Sequence, residues 1–214
     1  MSLDIKPILV KRRGNGYNDD SEKGEYISAT AARKLIRQNS FEGLKPYIAE
    51  DSFEAFVNEL QKHPVNRAAY NALTINALRT FDISSCLDAA EGLEHKLKES
   101  AEKYCSLDEI FADCKSKRYT MSRIKRICLQ ALLGITEKTM SAANDARGRL
   151  IALKNTRKDI LKSLTGVAIK NTDYARFGAD AQTIADSDGI AGGLYSLITA
   201  RNGSSFWDRK LLTV

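Results

Sequence analysis

With 214 residues, of which 43% are hydrophobic and 28% charged, the chain has the makeup of a globular protein with room for one or two domains and a sizeable core. No apolar run approaches the ~20 residues that span a bilayer, and in the opening MSLDIKPILVKRR the basic cluster follows the apolar residues, the reverse of a secretion signal. A cytoplasmic protein is the expectation. The net charge of +6 is moderate, so where the cations sit matters more than their sum.

Ile5 to Val10 is an apolar run interrupted by proline and reads as a short strand feeding the loop KRRGNGYNDD. GEYISATAARKLI follows, with a short helix expected from about Ala29 to Gln38. DSFEAFVNELQKHP spaces Phe53, Phe56, Val57 and Leu60 on one helical face and should stop before Pro64. NRAAYNALTINALRTF places Ala69, Leu73, Ala77 and Phe81 four apart, a second helix. SSCLDAAEGLEHKLKESAEKY carries the stripe Cys86, Ala90, Leu93, Leu97 and Ala101, with Glu94 and Lys98 at the i,i+4 pairing distance on the other side. Ser106 with Glu109 has the capping-box pattern. A further helix should start near Thr120, burying Ile124, Cys128, Ala131, Leu132 and Ile135 and turning Arg123, Arg126 and Gln130 outward.

After about Asn144 the texture changes. GRLIAL and GVAIK read as strands around a helix-like TRKDILKSL, and GLYSLIT, a Gly-Ser turn and LLTV complete a small α/β tail. Trp207 is expected to anchor that tail. No repeat or low-complexity segment breaks the pattern.

Zinc has little to bind. The four cysteines (Cys86, Cys105, Cys114, Cys128) form no CxxC pair, and the two histidines are His63 and His95. No metal site is expected, and no cysteine is marked as a nucleophile. Two basic windows are more informative. Between Asp113 and Glu137 there is no acid but six cations, Lys115, Lys117, Arg118, Arg123, Lys125 and Arg126. From Arg147 to Lys162 six cations face the single acid Asp159. Such clusters attract polyanions; equally, they are solvated faces. Tyr17 and Tyr119 stand beside cations and read either as stacking residues for bases or as packing residues. Glu91 and Glu94 read as surface ion-pair partners.

Chemistry concentrates at Ser28-Ala-Thr30-Ala-Ala-Arg33. A hydroxyl residue where a helix begins satisfies free N–H groups of the first turn. The same N–H groups and the helix dipole can cradle a phosphate, which an arginine one turn in can bind. A plain helix cap and a nucleotide cradle both fit the pattern.

YISATAARKLI resembles the second signature of the HIGH-superfamily nucleotidyltransferases. Taken with KPILVKRRGNGYNDD before it, AAEGLEHKLKE and CKSKRYTMSRIKRICLQALLGI after it, and a looser match at ARGRLIALKNTRKDIL, the chain resembles the tRNA(Met) cytidine acetate ligase family. That resemblance implies an ATP-dependent ligase that forms acetyl-adenylate and acetylates N4 of a cytidine in the elongator tRNA(Met) anticodon. It further implies Arg33 on ATP phosphate, Ser28 and Thr30 shaping the helix start, and Asn15 as a nucleotide contact. Lys117, Arg118, Arg123, Lys125 and Arg126 would face tRNA. The cofactor implied is ATP, alone or with magnesium.

The superfamily's first signature, a His-x-x-His element, has no counterpart. The resemblance therefore implies a C-terminal portion whose N-terminal nucleotide-binding half is missing, and which by itself forms no acetyl-adenylate. The expected fold is mainly α: residues 1–45 a strand-loop-helix remnant of an α/β nucleotidyltransferase domain, 46–144 a helical domain, and 145–214 a small α/β C-terminal subdomain. A non-catalytic helical RNA-binding module, or a basic scaffold of the same descent, stands as the alternative.

Overall fold

The structure, a computed structural model, describes residues 6–11, 13, 25–145, 147–199 and 212–213. The fold is mainly helical, and the chain divides into two compact units, Met1–His63 and Pro64–Val214.

In the first unit, α1 (Ala29–Arg37) leads through a 3-10 turn, Phe41–Tyr47, into α2 (Glu50–Lys62). Glu50 and Asp51 place negative charge at the positive end of α2, and the helix closes at His63, ahead of Pro64. Leu35, Leu44 and Phe53 form the buried centre, flanked by Ile36, Phe41, Phe56 and Val57. The strand expected at Ile5–Val10 is not seen where the chain is described. Residues 6–10 are irregular, and Ile8, Leu9 and Val10 are 85–97% exposed. A strand needs a neighbour for its N–H and C=O groups, and among the described residues none pairs with this run.

The second unit is built on α3 (Arg67–Thr80), α4 (Leu93–Lys103), α5 (Leu107–Cys114) and α6 (Met121–Leu133). Leu78, Leu93, Leu97, Ile110, Ile124 and Ile127 are fully buried where these helices meet. Thr120 caps α6 by accepting from the Arg123 N–H, and Gly134 ends it in the left-handed region at φ 66°.

Several details depart from expectation. The apolar stripe starting at Cys86 is not one helix: α4 begins only at Leu93, because Asp88, Glu91 and Gly92 all have positive φ. Among the described residues α4's close ion pair is Lys96–Asp113 at 2.8 Å, and Glu94 lies beside His95 instead of Lys98. Ser106 stands at the start of α5 without a side-chain capping bond. Gln130 is buried, since α6 is covered by α3, α5 and α8 (Ala179–Ile198) and so has more than one inner face.

The last part of the chain holds short strand pieces and a long helix. β1 (Ala152–Leu153) pairs in parallel with β2 (Leu212–Thr213), and Arg149 bridges to Ala168. Residues Asn155–Lys162 form a 3-10 turn in place of the helix read from TRKDILKSL, broken at Arg157. GLYSLIT forms the end of α8 and its C-cap Thr199, and α7 (Glu137–Ala142) and the turn Asn171–Phe177 pack against that helix. Among the described residues no helix is long and apolar enough to cross a membrane.

One buried hydroxyl ties α4 to α5. Ser100, fully buried, donates to Asp113 Oδ2 at 2.5 Å, and Lys96 Nζ lies 2.8 Å from the same carboxylate. These contacts, Lys96 first and Ser100 second, hold the Asp113 carboxyl below its ordinary value of 3.8. A carboxyl lowered on folding adds stability that is complete above the unfolded value and lost as pH falls through the folded one. Asp113→Asn should therefore flatten the acid limb of the unfolding midpoint below pH ~4, where denaturation of the wild type steepens. An identical acid limb in both proteins would contradict this.

Candidate nucleotide and nucleic-acid interface

The start of α1 is shaped by Ser28. Its backbone is extended (φ −74°, ψ 153°), it is 2% exposed, and its Oγ accepts the Ala31 N–H at 3.0 Å. Ser28 is thus a helix cap and not itself a surface for ligand. Among the described residues, no acceptor meets the N–H groups of Ala29 and Thr30, and the first turn contains no acid. Thr30 and Arg33 are exposed and three residues apart, on one side of the helix. Among the described residues Arg33 has no ion pair, so its guanidinium is available to an anion. A cleft lined by Glu25, Tyr26, Ile27, Pro46, Tyr47 and Ile48 opens beside this helix start. Another cleft of the same unit carries Glu42, Glu50, Asp51 and Glu54 with Lys45, a lining of net negative charge that disfavours phosphate. Asn15 and Tyr17 lie outside the described residues.

The basic window of the second unit divides into two kinds of cation. Arg123 is spent on the protein itself. Its Nε and one terminal nitrogen donate to the Asp88 carbonyl at 3.0 and 2.9 Å. The same terminal nitrogen reaches the Ala90 carbonyl at 3.2 Å, and the other meets the Glu91 carboxylate at 2.8 Å. Tyr119 Oη donates to the Glu91 carbonyl, and Arg126 pairs with the Asp88 carboxylate. The neighbouring guanidiniums, Arg123 first and Arg118 more weakly at 3.8 Å, hold the Glu91 carboxyl below its ordinary range.

This clamp explains a costly backbone. Asp88 and Glu91, each at φ 64°, occupy the left-handed region at roughly 1–2 kcal/mol apiece. Gly92, at φ 88°, accepts the same region freely. The donors of Arg123 satisfy carbonyls that a helix would otherwise have used.

The remaining cations are held more loosely. Lys117 is exposed with no partner among the described residues. Arg118 is 62% exposed, 5.8 Å from the Tyr119 ring centroid, and Lys125 lies 5.6 Å over Phe111. Of the five residues read as tRNA-facing, Lys117, Arg118 and Lys125 are thus open to a polyanion. Arg123 is structural, and Arg126 is tied to Asp88. Sequence reading missed the role of Arg123 because its partners lie more than thirty residues away; Glu91 was read as a surface ion-pair partner, and its partners are Arg123 and Arg118.

Cysteine chemistry has no foothold in the core. Burial pushes the Cys86 thiol up to about 11 and that of Cys128 to about 12, opposite to what a nucleophile needs. Among the described residues no group of three or more His, Cys, Asp or Glu side chains could hold a metal ion.

The fold is shared with solved structures of Thermotoga maritima TmcAL. A crystal structure of Thermotoga maritima TmcAL in its apo form superposes with a TM-score of 0.76 at 21% identity, over 96% of this chain and 55% of that one. A second, bound with alpha-thio ATP, superposes with a TM-score of 0.72, over 89% and 53%. The chain matches the HIGH Nucleotidyl Transferase family over residues 1–205, and it belongs to that family.

Within it, the similar curated proteins are tRNA(Met) cytidine acetate ligases, the group whose motifs the sequence resembles. The ligase of Thermoanaerobacter sp. is 30% identical over 75% of this chain and 41% of its own length. That of Clostridium perfringens is 29% identical over 91% and 49%. The chain spans about half the length of the curated relatives it matches.

Replacing Arg123 with alanine should cost about 1–2 kcal/mol in chemical denaturation and raise amide exchange across residues 88–92. Lysine, lacking the planar fork, should restore little of either. An alanine variant with unchanged exchange in that loop would show that the clamp is dispensable.

Proposed function

We propose that this chain is the tRNA-binding, site-completing portion of an ATP-dependent ligase that acetylates N4 of a cytidine in the elongator tRNA(Met) anticodon through acetyl-adenylate. It acts in the cytoplasm. Residues 1–45 close a nucleotidyltransferase domain, 46–144 form the helical body and 145–214 the C-terminal subdomain. The observation that carries this reading is the start of α1. Among the described residues, two N–H groups without acceptors and an Arg33 without an ion pair lie in the stretch that resembles the second signature of the HIGH-superfamily nucleotidyltransferases.

In this reading Arg33 binds an ATP phosphate, Thr30 and the N–H groups of the first turn support it, and Ser28 holds the turn in shape. Asn15, from the preceding loop, is a further nucleotide contact. Lys117, Arg118 and Lys125 bind tRNA backbone, and Arg126 joins them when RNA competes with Asp88. Phosphate contacts of this kind give affinity and register without reading sequence. ATP supplies the adenylate; the chain's own contribution is to hold and orient its phosphates. Magnesium, if it accompanies ATP, is carried by the nucleotide.

The second reading is a non-catalytic helical RNA-binding module or basic scaffold of the same family. What favours it is the histidine pair: His63 ends α2 and His95 lies exposed in α4, so neither belongs to a His-x-x-His element that could stabilise adenylation.

Calorimetric titration of the chain with ATP separates the two. The ligase reading expects saturable binding that Arg33→Ala weakens tenfold or more, the loss of one charge-assisted contact of about 1.5–3 kcal/mol. Binding indifferent to Arg33, or no ATP binding alongside intact tRNA binding, would favour the second reading instead.

A further inference from the structure

Thr30, Arg33 and Arg37 follow one another at i, i+3 and i+7, the spacing that places them in one stripe along α1. All three are exposed, and the stripe is turned away from Ala31 and Leu35, which the helix buries. Ala29–Arg37 contains three cations and no acid. Among the described residues neither Arg33 nor Arg37 makes an ion pair or a hydrogen bond, whereas Lys34, on the flank, already has a partner.

Helix geometry sets what the two guanidiniums can reach. Cβ atoms of residues four apart lie ~5–6 Å from each other, and each side chain leans toward the helix N-terminus. Arg37 therefore covers the turn that carries Arg33, and Arg33 covers the turn that carries Thr30. From the open N–H groups of Ala29 and Thr30 to Arg37 the axis rises ~10–12 Å, at 1.5 Å per residue. A single phosphate at the helix start is beyond the reach of Arg37. A chain of phosphates that begins there and runs along the helix meets Arg33 first and Arg37 next.

Arg37 stands in the last turn of α1, where any cation is favourable toward the negative end of the helix. That effect needs charge alone, and lysine would supply it equally. It leaves Arg33, in the middle of the helix, without an explanation. A guanidinium adds what lysine lacks, a planar fork that holds phosphate oxygens two at a time.

We propose that Arg37 is a specificity-determining residue of the nucleotide site: it binds the outer phosphates of a nucleoside triphosphate, so that the site selects for the length of the phosphate chain. The proposal rests on the reading that ATP phosphate lies against Arg33 and the start of α1. A stripe of two guanidiniums on one short helix suits a small, densely charged anion. A nucleic-acid backbone, whose phosphates repeat over a long distance, draws on a wider field of cations.

The test is calorimetric titration of the whole 214-residue chain with ATP and, separately, with AMP. Wild type should bind ATP the more tightly. Arg37→Ala should weaken ATP about tenfold and leave AMP within about twofold, whereas Arg33→Ala should weaken both. Arg37→Lys, which keeps the charge and loses the fork, should hold the thermal midpoint of wild type yet recover the ATP-to-AMP ratio only in part. An unchanged ratio in Arg37→Ala, with Arg33→Ala still impaired, would overturn the role of Arg37 and leave the nucleotide site in place. If the wild-type chain binds neither nucleotide, the reading beneath the proposal falls and the proposal with it. Weakened binding of elongator tRNA(Met) by Arg37→Ala, with the ratio unchanged, would assign the residue to RNA instead.

Discussion

The second unit depends on the grip of Arg123, four hydrogen bonds from three nitrogens, on the turn between Asp88 and Gly92. An apolar stripe running from Cys86 to Ala101 would, left to periodicity, make one long helix crossing α6. Left-handed residues at Asp88, Glu91 and Gly92 break it, and the guanidinium satisfies the carbonyls so exposed. Only then can α4 start at Leu93 and carry Leu97 and Ala101 into the core, while Cys86 enters from a separate 3-10 turn. The clamp is an electrostatic decision as much as a structural one. It removes Arg123 from the pool of cations facing solvent and partly removes Arg126, leaving Lys117, Arg118 and Lys125.

The two units present different answers to the same charge problem. At α1 the positive end of a helix, an exposed Thr30 and the exposed guanidinium of Arg33 favour a compact anion, as a nucleotide phosphate is. In the second unit the cations are numerous, spread out and partnered with rings, an arrangement suited to an extended polyanion whose phosphates repeat. The relatives are named for a tRNA and one solved neighbour is bound with alpha-thio ATP, which accords with the proposed division between a compact and an extended anion.

Much of the fold was legible in the sequence, and the reasons are local. The helices over Glu50–Lys62, Arg67–Thr80 and Met121–Leu133 announced themselves through apolar spacing and through Pro64 and Thr120 at their ends. What failed was non-local or weakly patterned. The late start of α4 depends on partners more than thirty residues off, and the strand read at Ile5–Val10 has no edge beside it among the described residues. α8 was hidden by three interior glycines, each unfavourable by about 1 kcal/mol against alanine, and is held by buried Ala181, Ala185 and Ser196. Of the candidate site, Ser28 is the buried cap of α1 and Arg33 an exposed side chain one turn in. Asn15 and Trp207 lie outside the described residues.

The claim at the centre of this account is that the helical unit takes RNA on its cationic surfaces while Arg123 stays inside the fold. Hydrogen exchange of the chain with and without elongator tRNA(Met) tests it most directly. Added protection at residues 115–126, with the loop at 88–92 equally protected in both states, is the result predicted here. Protection confined to the first unit, or a loop at 88–92 that opens when RNA binds, would contradict it.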